Sequence, residues 1–368
     1  MNGNSIDGNA VIDQPFPGKI AIITNHISLN VDDFYAAEHL VAKYGKDKII
    51  HVTWPEDFFA EQNKMIDTAS ALAEDREINV LIINQALPGT NAAVDKFKET
   101  RDDVFIIYCT IHDSAKDAAS RASLLMEINE LDMGLAMVRQ AKKQGAKVFV
   151  HYSFPRHMSQ LILSNRFKLI QETCAAEGML LVNSTVPDPV METGIAGARQ
   201  FILDDVPRLV ARYGEDTAFF CTNCFLQASL IKAVVDCHAI YPQPCCPSPF
   251  HGFPEALGIE TDSGHPDLNH VIGEACRIAA EKNMTDRLST WPVSASMMFT
   301  SAGAEYAIKW INGLVPKMDI DSRVLEDCMS AYVKEVVGEH VKVEMVSYTE
   351  NGVTYDNFKL LLMSYLDF

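Results

Sequence analysis

A chain of 368 residues, 48% hydrophobic and 22% charged, has the composition of a globular protein large enough for two buried cores. Its formal charge of -18, with no cluster of Lys or Arg, argues against nucleic acid and anionic membrane as partners, because both need basic patches to neutralise phosphate. The most apolar pieces, such as Val80–Ile83 and Phe105–Tyr108, have strand length, so insertion of the folded domain into a membrane is not expected.

Residues 1–17, rich in Asn, Gly and Asp, read as a flexible tether without a visible export signal. Lys19–Thr24 is an apolar run of strand length, followed by Asn25, His26 and Ser28 and a helical pattern over about Val31–Tyr44. Ile49–Thr53 repeats the strand, Trp54-Pro55 stops it, and Ala60–Ala73 is helical. Val80–Asn84 is a third strand, ended by Gln85 through Gly89, and Thr90 caps a helix to about Lys98. Phe105–Thr110 is a fourth strand. Apolar strands without alternation, separated by helices, predict a parallel sheet covered on both faces.

Glu127–Ser153 reads as strand, amphipathic helix and strand, bridging this αβ lobe to a second. Helices are expected over Met158–Ala176, Ile195–Tyr213, Leu226–His238, Asp267–Lys282 and Ala302–Asn312, with strands at Met179–Asn183, Ala218–Thr222 and Ser289–Ser296. Ile240–Gly258 is Pro-rich and reads as loop. Val341–Tyr348 and Val353–Phe358 flank Asn351-Gly352, a hairpin signal. The expected architecture is α/β: two doubly wound Rossmann-like lobes with parallel sheets, joined by crossovers. Residues 18–128 with about 297–340 form the N-terminal lobe, and 129–296 with about 341–368 the C-terminal lobe.

Several segments carry a resemblance: GKIAIIT at 18–24, VLIINQ at 80–85, the crossover helix running into QGAKVFVHYS, FFCTN at 219–223, and the later SAGAEYA helix. Together they resemble type I periplasmic binding proteins over about residues 18–368. Within that superfamily the chain is most similar to an uncharacterised bacterial family of solute-binding-like lipoproteins, and more distantly to basic-membrane-protein and sugar-binding lipoproteins. The resemblance implies the periplasmic binding protein-like I fold, a small solute held between lobes that close by hinge motion, and delivery to an ABC-type permease or a membrane sensor. It also implies an extracytoplasmic, membrane-tethered lipoprotein if a signal segment precedes this sequence, and otherwise a cytoplasmic protein.

The site is expected at the carboxyl ends of the strands, where loops converge and helix N-termini offer free N–H groups. Those positions are Asn25, His26, Trp54, Asn84, Gln85 and His112 in the first lobe, and Ser153, Arg156, Asp188, Asn223, Gln227 and Asp262 in the second. Such a set suits a small polar solute with a flat or ring face, a sugar or nucleoside. Other roles compete. A strand-end Asn or Asp often forms a turn or caps a helix, Trp54 could pack, and Arg156 could pair with an acid.

No catalytic residue, cofactor or metal is assigned. The chain has no G-x-S-x-G elbow, phosphate loop or H-E-x-x-H, and the glycine-free first βα turn argues against NAD. The nine cysteines look reduced. A cytosolic enzyme or redox protein remains an alternative, since Cys221 and Cys224 make a C-x-x-C between strand and helix. Those two cysteines together with Cys245, Cys246, His251 and His265 supply zinc-type ligands, yet adjacent cysteines and scattered histidines lack compact finger spacing. A ligand-sensing regulator without its own DNA-binding domain is the remaining alternative.

Overall fold

The first strand, β1 (Lys19–Thr24), is buried along nearly its whole length because it lies inside a parallel sheet with a neighbour on each side. This arrangement is seen in a computed structural model that describes residues 15–191, 193–261, 267–338 and 341–368. The chain divides into two compact units, one of residues up to Leu125 with Phe299–Cys328 and Tyr355–Phe358, the other of Met126–Met298, Met329–Thr354 and Lys359–Phe368.

In the first unit β1 is followed by α1 (Val31–Tyr44), β2 (Ile49–Thr53), α2 (Gln62–Ala73), β3 (Ile78–Ala86), α3 (Thr90–Lys98), β4 (Phe105–Ile111) and α4 (Ala115–Ala119). The strand order is β2-β1-β3-β4, all parallel, with Ile20 beside both Ile49 and Val80, and Val80 beside Phe105. Ile20, Ile22, Val80 and Ile82 are wholly buried, which explains why these strands read as unbroken apolar runs. Asn30 starts α1 by accepting a hydrogen bond from the Asp33 backbone N–H at 3.1 Å. The segment that returns to this unit stacks Trp310 on Phe105, ring centroids 4.9 Å apart.

The chain continues through β5 (Leu124–Ile128), α5 (Met133–Lys143), β6 (Val148–Ser153), α6 (Pro155–Met158), α7 (Leu161–Ala176), β7 (Leu180–Thr185), α8 (Gly194–Tyr213), β8 (Thr217–Cys221), α9 (Gln227–Asp236), α10 (Phe253–Leu257) and α11 (Leu268–Glu281). In the second unit β6 is central, parallel to β7 on one side and β8 on the other. Its core gathers Val150, Tyr152, Ile202, Phe219, Leu230, Phe253 and Phe368.

One stretch departs from expectation. Only Ser289–Thr290 (β9) of the Ser289–Ser296 segment is strand, and α12 (Ala295–Ile311) begins within the same segment, after a short bend. Pro292 cannot continue a ladder, and Ser294 Oγ accepts from the Met297 N–H at 3.3 Å as a helix cap. Then come α13 (Ser322–Val337), β10 (Val343–Glu350), β11 (Val353–Met363) and β12 (Leu366–Asp367), the last antiparallel to β9. The hairpin forms as expected, with φ of 51° at Asn351 and 78° at Gly352. Among the described residues no helix is long and apolar enough to cross a membrane.

Candidate functional site

In the first unit the carboxyl ends of four parallel strands bring several of the expected residues together. Trp54, after β2, donates its backbone N–H to Thr24 O at 2.8 Å and its indole N–H to Gln85 O at 3.2 Å. His112 Nε2, after β4, lies 3.3 Å from Gln85 Oε1, and the Asn84–Gln85 peptide is cis. His112 keeps a solvent-exposed edge at its strand end, while the protein around the rest of its ring displaces water and draws the imidazole below its ordinary value. Asn25, after β1, is 5% exposed, and its Oδ1 has no hydrogen-bond partner among the described residues. His26 turns aside to Ser28 Oγ, 2.8 Å from its Nδ1.

Two positions expected to meet a ligand are spent on packing. Trp54 is wholly buried, so its ring face is covered by protein and cannot stack on a solute as expected. Asn84 is also wholly buried and donates through Nδ2 to Thr300 Oγ1 at 2.6 Å.

In the second unit Ser153 Oγ and His157 Nδ1 each lie 3.0 Å from Thr222 Oγ1 at the ends of β6 and β8. His157 and Thr222 were not in the expected set; their sequence signal is only that they adjoin Arg156 and Asn223. Arg156 takes the acid-pairing role, its Nε and Nη2 donating to both Asp188 oxygens at 2.7 and 2.9 Å, which holds the Asp188 carboxyl below its usual range. Asn223 acts as a cap, its Oδ1 accepting from Phe225 N–H at 3.0 Å. Gln227 is wholly buried at the start of α9, donating to Cys221 O at 3.0 Å and Asn223 O at 2.6 Å. It therefore has no face left for a solute. Asp262, like His265, lies outside the described residues.

A second constellation sits just beyond β8. Cys224 opens a 3₁₀ turn (Cys224–Leu226), Cys245 and Cys246 lie on the Pro-rich loop, and His251 precedes α10. Cys224 Sγ is 3.3 Å from Cys245 Sγ and 3.8 Å from Cys246 Sγ, and the latter two are 3.9 Å apart. The ligand atoms of all four residues fall within 4.8 Å of one another. Gly252, at φ 85°, makes this possible: a Cβ there would stand 3.0 Å from Gln227 Cβ and 3.1 Å from Ala228 N, so only glycine lets the His251 backbone press against α9. The loop is held by buried Gln243, which donates to Pro244 O at 3.2 Å and accepts from the Tyr365 hydroxyl.

Hydrogen bonds from Cys245 and Cys246 draw the Cys224 thiol far below its usual range, against the opposing effect of burial. Burial lowers the His251 imidazole, but its contacts with Cys224 and Cys246 outweigh that and raise it to about 10. The redox pair of Cys221 and Cys224, the alternative the C-x-x-C offered, is not the grouping that forms. Cys221 is wholly buried in β8, where burial lifts its thiol to about 12, and Cys224 meets Cys245 and Cys246 instead. Spacing alone argued against this set, because twenty residues that include α9 separate Cys224 from Cys245 before the chain folds back on the strand end. The sequence signal was the adjacent cysteine pair with a histidine five positions on, which reads as zinc-type ligands but lacks finger spacing.

This is the α/β, parallel-sheet fold of the type I periplasmic-binding-protein class. A crystal structure of a candidate transcriptional regulator from Clostridium difficile 630 matches 96% of this chain and 100% of its own at a TM-score of 0.86 and 21% identity. A sugar ABC transporter protein from Actinomyces odontolyticus ATCC 17982 matches 81% of this chain and 84% of its own, with TM-score 0.54 and 11% identity. A sugar ABC transport substrate-binding protein from Bordetella parapertussis 12822 matches 95% and 89%, with TM-score 0.50 and 11% identity.

The chain belongs to the family described as "Protein of unknown function (DUF3798)", which it matches over residues 18–289. Two proteins of Treponema pallidum (strain Nichols), each described as uncharacterized, are 30% identical to it over 176 and 165 residues. Those alignments take in 46% and 45% of this chain and 80% and 76% of theirs.

Proposed function

We propose that this protein reversibly binds a small polar solute of the sugar or nucleoside class, without covalent chemistry, and serves ABC-type uptake or sensing outside the cytoplasm. The observation that carries the reading is Asn25: a buried amide oxygen at the carboxyl end of β1, lacking a hydrogen-bond partner among the described residues, beside strand ends that carry Gln85 and His112. Keeping a buried acceptor unsatisfied costs stability, so a role for it in meeting a ligand hydroxyl or amide accounts for its presence. The likeness in fold to sugar-binding transport proteins supports the same reading by analogy.

The test is native mass spectrometry of the purified protein followed by thermal-shift screening against sugars, nucleosides and amino acids. A ligand that binds only the folded state raises Tm by mass action. One stabiliser recovered unchanged supports the proposal; a ligand recovered as product replaces it with an enzyme. Location is tested by fractionation, and a wholly cytosolic pool would remove the uptake role.

A second reading, a ligand-sensing regulator, is favoured by the description of the Clostridium difficile protein. It requires a nucleic-acid or protein partner for the loaded form, and the charge of -18 favours a protein. Ligand-dependent co-purification of a DNA-binding protein would decide for it.

A further inference from the structure

We propose that Cys224, Cys245, Cys246 and His251 form a tetrahedral Cys3His site for one thiophilic divalent ion of the zinc class. The argument starts from the sulfur triangle. An ion bound to thiolates at about 2.3 Å in tetrahedral geometry sets sulfur–sulfur edges of roughly 3.7–3.8 Å. The observed edges are 3.3, 3.8 and 3.9 Å. A disulfide would engage only two of the three sulfurs, at about 2.05 Å. An iron–sulfur cluster would spread its thiolates over different irons, leaving them farther apart than this triangle.

The fourth ligand is prepared by its own hydrogen bond. His251 Nδ1 lies 3.0 Å from the Cys246 carbonyl oxygen, which can only accept, so Nδ1 keeps its proton and Nε2 is the nitrogen that gives up its own to bind a metal. Binding displaces three protons from the four ligand residues to solvent, two from thiols and one from the His251 ring, and leaves a centre of net charge -1. A counter-charge stands nearby. The Arg166 guanidinium, 3% exposed, acts electrostatically on Cys245 and Cys246, while its carboxylate neighbour Glu130 is 3.8 Å away and itself half-exposed. Burying a cation here is reasonable opposite a tris-thiolate centre and expensive otherwise.

With four protein ligands the site is closed, which marks it as structural rather than catalytic. The ion would clamp the Pro-rich loop, through Cys245, Cys246 and His251, to the residue that follows Asn223 at the end of β8. Cys224 and Cys246 are exposed at the residue level, so the ion can enter and leave without unfolding.

The experiment uses the full chain, purified under reductant and stripped of metal, then titrated with Co(II). One equivalent is expected, with visible ligand-field bands of tetrahedral cobalt, near-ultraviolet thiolate-to-cobalt charge transfer, and a raised Tm. Cys246→Ser should weaken cobalt binding by at least about tenfold and reduce the charge-transfer band. His251→Ala should keep that band while shifting the visible bands. Cys237→Ser, outside the triangle, should change neither. Failure of the parent chain to bind one equivalent, an octahedral cobalt spectrum, or an unchanged spectrum in Cys246→Ser would each overturn the site. The parent titration decides even if a variant does not fold.

Discussion

Tyr241 donates its hydroxyl to Gln227 Oε1 across 2.5 Å, while the same glutamine's amide donates to the carbonyls of Cys221 and Asn223. All of this lies in the buried interior, so Gln227 is a splice between the end of β8, α9 and the loop bearing Tyr241. Gln227→Ala should cost about 2–4 kcal/mol, because it strands a buried hydroxyl as well as removing bonds. Tyr241→Phe should cost about 1–3 kcal/mol by leaving one acceptor unmet. Urea unfolding with an unchanged m-value checks both. Near-neutral variants would mean the network contributes little.

The same glutamine shows what sequence can and cannot disclose. Strand ends were legible because Lys19–Thr24 and Phe105–Ile111 are apolar without alternation, and Asn351-Gly352 announced its own turn. The positions Asn25, Gln85 and His112 followed from those ends. What a side chain does once there was not legible: Gln227 and Trp54 look like ligand contacts in one dimension and prove to be internal fasteners. The cysteine set was legible only as ligand types and not as a cluster, for a related reason. Its members meet only after the Pro-rich loop folds back, and no local periodicity encodes that return.

Asn25 offers the clearest separation of stability from binding. Its Oδ1 lacks a partner among the described residues, so Asn25→Ala removes a burial cost along with some packing, and stability should change by less than about 1 kcal/mol. Affinity for the stabilising solute should fall by roughly tenfold or more, the value of one hydrogen bond in a dry site. Isothermal titration beside urea unfolding measures the two. Unchanged affinity would place the ligand away from β1.

Gly18 enters β1 at φ 74°, where an added Cβ would stand 1.7 Å from Asn79 Oδ1 and 2.6 Å from Glu77 O. The asparagine can rotate away, but the carbonyl cannot, because it accepts the Lys19 N–H at 2.7 Å. Left-handed backbone adds about 1–2 kcal/mol for any L side chain. Gly18→Ala should therefore destabilise by about 2–4 kcal/mol. Adding Asn79→Ala should recover only the part due to the amide. Full recovery in the double variant would show that the backbone clash is absorbed elsewhere.

His151 in β6 gives a pH dependence whose sign can be worked out. The residue is 1% exposed, with Phe167 and Phe220 ring centroids 4.6 and 6.0 Å from its own, and its Nδ1 lies 3.2 Å from Asn183 Oδ1. Burial, with the Arg166 charge adding to it, lowers the imidazole from its ordinary 6.5 to about 4. Between those two values the unfolded chain takes up a proton that the folded chain refuses. Stability is thus complete above pH 6.5 and declines as pH falls towards 4, by about 3 kcal/mol in all. Carboxylates titrate in the lower part of this window, so the informative quantity is the difference between the parent and His151→Gln, measured by urea unfolding at successive pH values. The parent should lose its advantage over the variant across that window; parallel curves would show that the imidazole is protonated in the folded protein at no greater cost than in water.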